Sequence, residues 1–199
     1  MAVVANRKND PYTLSRQEHY WSARFVAMAC PCEVLIEPVD EHVARSIVTE
    51  AAACAWRVER KFSRYRADSV VQRINTANGA ALEVDEETAD LLDFAATLTR
   101  LSEGRFDITS GALRKAWTFD GGDRVPAQAQ IDALLATVGW HNVVWQRPML
   151  RMPAGMEVDS VIDKRYHLAH KIICNSAGKR TCFISRKRTV DILPVRHLP

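Results

Sequence analysis

The sequence of 199 residues lacks the features that mark membrane-spanning and disulfide-stabilised proteins. It contains no apolar run of about eighteen residues, so no membrane-spanning helix is predicted. Residues 1–20 are polar and lack the apolar segment of a secretory signal, which favours a cytoplasmic location. The five cysteines are odd in number and scattered along the chain, which argues against a disulfide framework and is typical of a reducing compartment.

Common signatures of nucleotide and metal binding are also missing. The chain has no G-x-G-x-x-G pattern, no P-loop and no internal repeat. Cys30 and Cys32 are separated by one residue and have no second cysteine pair beside them, which favours two small core thiols over a zinc site. A further candidate zinc set lies near the C-terminus and comprises His167, His170, Cys174 and Cys182. The loop-like sequence between these four does not predict a preformed metal cage.

What the sequence does contain is an uneven distribution of charge. The net charge is +3, but residues 164–199 hold nine basic residues and one acidic residue, a net charge of +8. Residues 1–163 carry a net charge of −5. The change of sign predicts a polar lead-in (1–20), a globular portion (21–163) and a basic tail that is non-native or disordered. Nucleic-acid contact through the tail is an alternative, disfavoured because the tail has few aromatic residues to stack on bases.

Helical and strand-like patterns are interspersed along the chain. They predict an α+β domain with a short-strand antiparallel or mixed sheet and packed helices. Strands are expected between residues 21 and 37, and Asp40 is the expected N-cap of a helix running to Phe62. Val43, Ile47, Cys54 and Val58 recur at helical spacing and form its predicted stripe, and the alanines at 51–53 and 55 are expected to permit close packing. A later helix is expected from Asp85 to Gly104. Its predicted buried face comprises Leu91, Leu92, Ala95, Leu98 and Leu101.

Shorter elements surround these two helices. A short helix is expected after Asp68 or Ser69, and another is expected to start at Pro126. The residues predicted to face inward on the second of these are Ile131, Leu134, Leu135 and Val138. Short strands are expected at 142–145, 149–152 and 156–158.

Two loops carry the residues most suited to binding. In residues 102–117 a helix stops at a glycine, and the following turn holds Phe106 and Asp107. The structural alternative is a helix C-cap followed by a well-packed turn. Tyr65 lies between Arg64 and Arg66 just ahead of a helix start, an arrangement suited to an aromatic ring that carries phosphates. Two solvated arginines around a half-buried tyrosine are an equally supported interpretation.

Four separated segments occur in an order and spacing that one family shares. They are residues 25–34, residues 57–69, residues 104–113 with Trp117, and residues 138–143 ahead of residues 157–159. The chain resembles the FAD:protein FMN transferase family, also called the ApbE family and once called thiamine-biosynthesis lipoproteins, over residues 21–159. Tyr65, Asp68 and Ser69 match its Tyr-x-x-Asp-Ser signature, and Met28 stands where the family usually carries Met-Gly-Thr.

The family's fifth motif is damaged in this chain. Relatives have Asp-(Leu/Phe)-Gly-Gly-Ile-x-Lys-x-Tyr-Ala, whereas here both glycines after Asp159 are missing and Lys164 aligns only if one residue is dropped. The change of charge falls at the same place. Our hypothesis is a C-terminally truncated family member, with a frameshift as one origin. Translating the nucleotide sequence beyond the Asp159 codon in the other two frames tests that origin.

The resemblance implies an incomplete ApbE-like domain, similar to a T-fold, within residues 21–163. It implies transfer of FMN from FAD to a threonine or serine hydroxyl of an acceptor protein, with Mg²⁺ and with release of AMP. Relatives are often periplasmic and membrane-anchored. The alternative is a non-catalytic flavin-binding or interaction domain. Loss of the C-terminal strands predicts self-association through uncovered sheet.

The resemblance also implies site residues. The expected FAD contacts are Met28, Tyr65, Arg105, Phe106, Asp107, Asp159 and Lys164. The backbone carbonyl of Val161 is the one counterpart to the family's Mg²⁺ ligands, and the others are absent from the sequence. We therefore expect weak FAD binding and little or no transfer activity. Residues 107–113 partly match the family's acceptor motif, but Leu113 replaces the hydroxyl residue, so self-flavinylation is disfavoured.

Overall fold

The computed structural model describes residues 3–4, 11–28, 30–117, 125–159 and 183–185, with the backbone alone for the first and last of these stretches. The described residues up to Glu59, with 183–185, form one compact unit, and those from Arg60 to Asp159 form another.

The described strands and helices are short, apart from two helices. The strands are β1 (Val3–Val4), β2 (Thr13–Arg16), β3 (Trp21–Ala27), β4 (Cys30–Ile36), β5 (Leu82–Glu83), β6 (Val144–Gln146), β7 (Met149–Arg151) and β8 (Phe183–Ser185). The helices are α1 (Glu41–Phe62), α2 (Val70–Asn75), α3 (Glu86–Leu101) and α4 (Gln128–Leu135), with 3-10 turns at Gly111–Lys115 and Trp140–Asn142. This mixture of helices and small antiparallel sheets confirms the predicted α+β class.

The first unit is built on an antiparallel sheet with the strand order β1-β2-β3-β4-β8. Alternate residues of β3 and β4 are buried, because successive side chains of a strand point to opposite faces. One face therefore packs on α1, while Arg24 and Ser22 both donate hydrogen bonds to Glu33 on the other face. Cys30 and Cys32 are both buried, as the sequence predicts for core thiols.

The buried face of α1 differs from the predicted one. Small residues dominate it, and it comprises Ala44, Val48, Ala51, Ala52 and Ala55. Val43 is exposed, whereas Ile47 and Val58 are only partly buried at the edge of the core. The predicted stripe follows the larger side chains and is wrong at Val43, whereas the alanines expected to pack closely are buried at positions 51, 52 and 55. The alanines allow the helix to approach the sheet closely, and the larger residues flank that contact.

The stretch predicted to be a polar lead-in contains a strand of this sheet. Leu14 of β2 is fully buried, and Tyr12 just before it makes a hydrogen bond to Thr49 of α1 with 3.1 Å between the two hydroxyl oxygens. A four-residue strand with one large apolar side chain has too weak a period for the sequence to reveal it.

The second unit contains a three-stranded antiparallel sheet with the order β5-β7-β6. The Asp85 carboxylate caps α3 by accepting a hydrogen bond from the Thr88 amide at 3.0 Å, as predicted. Leu91 and Leu92 are buried, but Leu101 is 67% exposed because the last turn of α3 extends beyond the core. The predicted buried stripe is therefore wrong at its C-terminal end.

Other local predictions are only partly met. Ser69 caps α2 by accepting a hydrogen bond from the Gln72 amide at 3.1 Å, as expected. The helix predicted from Pro126 begins two residues later, and no residue of α4 is buried. Leu135 is 47% exposed, so its predicted inward position is wrong. The strand expected at 156–158 is reduced to one parallel bridge between Glu157 and Ser110.

Candidate functional site

The segment Glu157–Asp159 lies in the second unit between the segment that carries Tyr65 and the turn that carries Asp107. The Asp159 amide donates a hydrogen bond to the Ile108 carbonyl at 2.8 Å. Gly111 allows this close approach, because a Cβ there would lie 2.7 Å from the Glu157 carbonyl oxygen and 2.8 Å from the Asp159 nitrogen. The third and last matched segments are therefore in direct backbone contact.

The Asp159 carboxylate lies between two arginines. Nη1 of Arg64 donates hydrogen bonds to both carboxylate oxygens at 3.0 and 3.2 Å, although the two residues are 95 positions apart in the sequence. Nη1 of Arg114 lies 2.5 Å from Oδ2 of Asp159. This buried nitrogen therefore has an ion-pair partner but no hydrogen-bond partner. Both guanidinium groups are of the kind that binds carboxylate or phosphate.

Tyr65 adds an exposed aromatic ring beside these charges. Its hydroxyl accepts a hydrogen bond from Nη2 of Arg64 at 2.7 Å, and the guanidinium carbon lies 4.9 Å from the ring centroid. Burial lowers the pKa of Arg64, but the hydrogen bond to Tyr65 and the charge of Asp159 raise it by more, so the side chain stays protonated. The tyrosine itself is 81% exposed, which leaves its ring available to a planar ligand.

A further cation and carboxylate complete the arrangement. Nζ of Lys115 lies 2.7 Å from Oε1 of Glu157, and Nη2 of Arg114 lies 3.8 Å from the other oxygen of Glu157. We call this group the Asp159 cluster, and it comprises Arg64, Tyr65, Arg114, Lys115, Glu157 and Asp159. Three cations meet two carboxylates there, so the cluster has a formal surplus of one positive charge. Such a surface suits an anionic ligand that also carries an aromatic ring.

Asp107, in the turn of the third matched segment, joins that segment to the fourth. Its Oδ1 accepts hydrogen bonds from the Thr109 amide and hydroxyl at 2.8 and 2.7 Å, and its Oδ2 accepts one from the Trp140 amide at 2.7 Å. The Thr109 hydroxyl in turn accepts a hydrogen bond from the Gly139 amide at 2.7 Å. These bonds account for Asp107 as part of the scaffold, whereas its expected contact with FAD stays a prediction.

The other predicted site residues fall into three groups. Arg105 and Phe106 belong to the same turn as Asp107; Arg105 is exposed and Phe106 partly buried. Met28 belongs to the first unit, follows β3 with a positive φ of 54°, and packs partly against that unit's core. Such a left-handed conformation costs a methionine about 1 kcal/mol or more. Lys164 and the Val161 carbonyl lie outside the described residues, as does the candidate zinc set near the C-terminus.

Sequence reasoning missed several residues around Asp159. Arg114 and Lys115 follow directly on the third matched segment, and two adjacent cations there were a readable signal for an anion site. Asn75 was also missed; its side chain bonds to the backbone of Val158. No local sequence pattern indicates that contact, because the two residues are 83 positions apart.

The described residues hold neither an evident metal centre nor a membrane span. Within the described ranges, no group of three or more His, Cys, Asp or Glu side chains is placed to hold a metal ion. None of the described helices is long and apolar enough to cross a membrane.

Comparison with known proteins agrees with these features. Three solved structures are similar to this α+β fold. The ApbE protein of Thermotoga maritima is 26% identical, with a TM-score of 0.69 over 77% of this chain and 51% of that one. The apo flavinyl transferase ApbE of Pseudomonas stutzeri is 21% identical, with a TM-score of 0.66 over 79% and 52%. The flavin transferase ApbE of Vibrio cholerae is 23% identical, with a TM-score of 0.61 over 69% and 47%.

The ApbE family profile matches residues 28–161, about two thirds of the chain. This chain belongs to the ApbE family, which confirms the resemblance seen in the sequence. The likeness to solved ApbE structures also confirms the expected fold. The chain spans about half the length of these solved relatives. A comparison with curated protein sequences gave no match.

Proposed function

We propose that this chain supplies the flavin-nucleotide-binding part of a flavin transferase. The reaction is transfer of FMN from FAD to a threonine or serine hydroxyl of an acceptor protein, with Mg²⁺ and with release of AMP. The observation that carries the proposal is the Asp159 cluster, which combines an exposed ring with a surplus of positive charge inside a family-matched region. The names of the flavin transferases from Pseudomonas stutzeri and Vibrio cholerae support the same class of reaction.

The geometry supports a role in holding the substrate. The hydroxyl oxygen of the acceptor attacks the FMN phosphorus of FAD, the phosphorus–oxygen bond to AMP breaks, and the hydroxyl proton leaves to solvent. Phosphoryl transfer of this kind depends on positioning and on cations near the phosphate oxygens. Arg64 and Arg114 are the described cations best placed for that task, and the Tyr65 ring provides a surface for an aromatic ring system. Met28, Arg105, Phe106, Asp107 and Lys164 complete the proposed set of FAD contacts.

Only membership of the family supports a role for magnesium in this proposal. The described residues contain no group of three or more His, Cys, Asp or Glu side chains placed to hold it, and the Val161 carbonyl lies outside them. No step above therefore depends on the metal.

The domain limits 21–163 also stay a proposal, supported by the family match at 28–161, which lies inside them. An acceptor protein is the partner that the reaction requires, and self-association through uncovered sheet remains a separate prediction.

The proposal is tested by titrating the full chain with FAD, with and without Mg²⁺, while following flavin fluorescence and AMP release. We expect weak but saturable binding with little AMP release. Tyr65→Ala should weaken binding about fivefold, because one aromatic contact contributes roughly 1 kcal/mol. Tyr20→Ala is the matched control, since Tyr20 is also exposed but lies in a turn of the first unit outside all the matched segments.

The outcomes separate the proposal from its alternative. An absence of saturable FAD binding overturns the proposal. Binding that never yields AMP, even with Mg²⁺ and an acceptor peptide, assigns the chain as a non-catalytic flavin-binding domain. Equal weakening by Tyr65→Ala and Tyr20→Ala would remove the Asp159 cluster from the flavin site.

A further inference from the structure

We propose that Asn75 is a positioning residue of the flavin site, acting through Val158 to set the place of Asp159. This inference rests on the proposed function, since Asp159 is one of the proposed FAD contacts. Asn75 belongs to none of the four matched segments and carries no charge.

The side chain of Asn75 binds Val158 as a neighbouring strand would. Its Nδ2 donates a hydrogen bond to the Val158 carbonyl at 3.0 Å, and its Oδ1 accepts one from the Val158 amide at 2.8 Å. One amide group thus pairs with both polar groups of a single residue. This pattern fixes the orientation of the amide, because reversing it would set donor against donor and acceptor against acceptor.

These bonds matter because Val158 is buried, with 3% exposure. A buried peptide group that loses its partner costs free energy, so the chain would shift to recover one. On the far side the same segment is constrained by the Asp159 amide bond to Ile108 and by the close approach to Gly111. Asn75 and Gly111 therefore hold the segment from two directions.

The position of the segment decides where the Asp159 carboxylate lies. That carboxylate meets Arg64 at 3.0 Å and Arg114 at 2.5 Å, distances that leave little room for a shift. Asn75 is the last residue of α2, and Arg64 and Tyr65 lie just ahead of the same short helix. Helix α2 thus connects Asn75, which binds Val158, to Arg64, which binds Asp159.

The test compares Asn75→Ala with Thr76→Ala in the full chain. Thr76 is the adjacent residue, and its hydroxyl bonds locally to the Gln72 carbonyl at 2.8 Å. We expect Asn75→Ala to weaken FAD binding about tenfold, the order produced by losing one to two hydrogen bonds. It should also speed amide hydrogen exchange at Val158 and Asp159. Thr76→Ala should change neither. If Asn75→Ala does not fold, Asn75→Asp keeps the shape and the acceptor while removing the donor, and should weaken binding in the same direction.

A double-mutant cycle distinguishes positioning from general stability. In an Asp159→Asn background, Asn75→Ala should add less than about twofold to the loss of FAD affinity, because both changes act on one contact. An additive loss, or unchanged affinity in both Asn75 variants, overturns the inference while leaving the proposed function standing. Failure of the unchanged chain to bind FAD overturns the proposed function, and the positioning role falls with it.

Discussion

In the first unit the side chains between the sheet and α1 are almost all apolar, whereas the candidate-site segments of the second unit are joined by hydrogen bonds and ion pairs. Leu14, Val34 and Val48 are fully buried in the first. In the second, Asn75, Asp107 and Arg64 each bridge distant parts of the chain. Apolar packing tolerates imprecise geometry better than directional bonds do. We therefore expect substitutions in the first unit to act mainly on stability, and those among the site segments to act on geometry.

Leu14→Ala tests the apolar core of the first unit and has the largest expected effect. We expect it to lower the free energy of unfolding by about 2–5 kcal/mol, because it opens a cavity in the core. Denaturant unfolding followed by circular dichroism measures the change. Val26→Ala, at a residue of β3 that is 65% exposed, is the control and should stay within about 0.5 kcal/mol of the unchanged chain. Equal effects of the two substitutions would contradict the assigned core.

On the polar side, Gly111→Ala probes the close backbone contact. The new Cβ would meet backbone atoms of Glu157 and Asp159 below 3 Å, so we expect a loss of about 1–3 kcal/mol and faster amide exchange at Asp159. Gly104→Ala is the control: its φ of 78° brings strain of about 1–2 kcal/mol, but no atom lies within 4 Å. If both variants left Asp159 exchange unchanged, the contact at Gly111 would not hold the segment.

Asp107→Asn tests whether Asp107 serves the scaffold. An amide cannot accept from Thr109 and Trp140 at both of its ends, so one backbone N–H loses its acceptor. We expect a loss of about 1–3 kcal/mol in unfolding free energy. Asp132→Asn on α4 removes an exposed carboxylate that accepts a hydrogen bond from the Gln128 side chain, and should have little effect. A stable Asp107→Asn variant with lowered FAD affinity would instead favour direct contact with the flavin nucleotide.

The smallest expected effect is a dependence of stability on pH at the start of α3. Burial raises the pKa of Asp85, but hydrogen bonds from Lys61 and Thr88 lower it by more, so its net pKa lies below the ordinary 3.8. A depressed carboxyl pKa stabilises the fold above pH 3.8, and this stabilisation is lost as the pH falls through the folded-state value. Asp85→Asn should reduce that acid sensitivity and cost roughly 0.2–1 kcal/mol at pH 7, since asparagine still caps a helix. The test is to measure the urea midpoints of Asp85→Asn and of the unchanged chain between pH 2 and pH 7.

The difference between the two units also explains which features could be predicted from the sequence. Helix caps at Ser69 and Asp85 and the alternation of β3 and β4 depend on neighbouring residues, so the sequence displays them. The stripe of α1 was predicted along the larger side chains because alanines are weak signals on a hydrophobicity scale, although the alanines at 51–53 and 55 were expected to permit close packing. The inward face of α4 was predicted from periodicity alone, and periodicity does not reveal whether another element covers it.

The candidate site was only partly accessible from sequence. Tyr65 and Asp159 were predicted through family motifs, and the structure links them through Arg64. Asn75 was not predicted, because its partner lies far along the chain and no local pattern records such a pair. Arg114 was overlooked, although its position beside Lys115 was a readable signal for an anion site. Long-range polar contacts depend on the folded geometry, so a single sequence reveals them poorly.

The long sequence separation of the Asn75–Val158 contact has a consequence for the order of folding. Closing a loop of 83 residues costs chain entropy before the two hydrogen bonds can form, whereas α2 and α3 need only local contacts. We expect these bonds to be absent from the folding transition state. Asn75→Asp should then speed unfolding and leave the folding rate nearly unchanged in stopped-flow experiments; slower folding with normal unfolding would contradict this order. The site is thus expected to be the last part of its unit to assemble and the first to open.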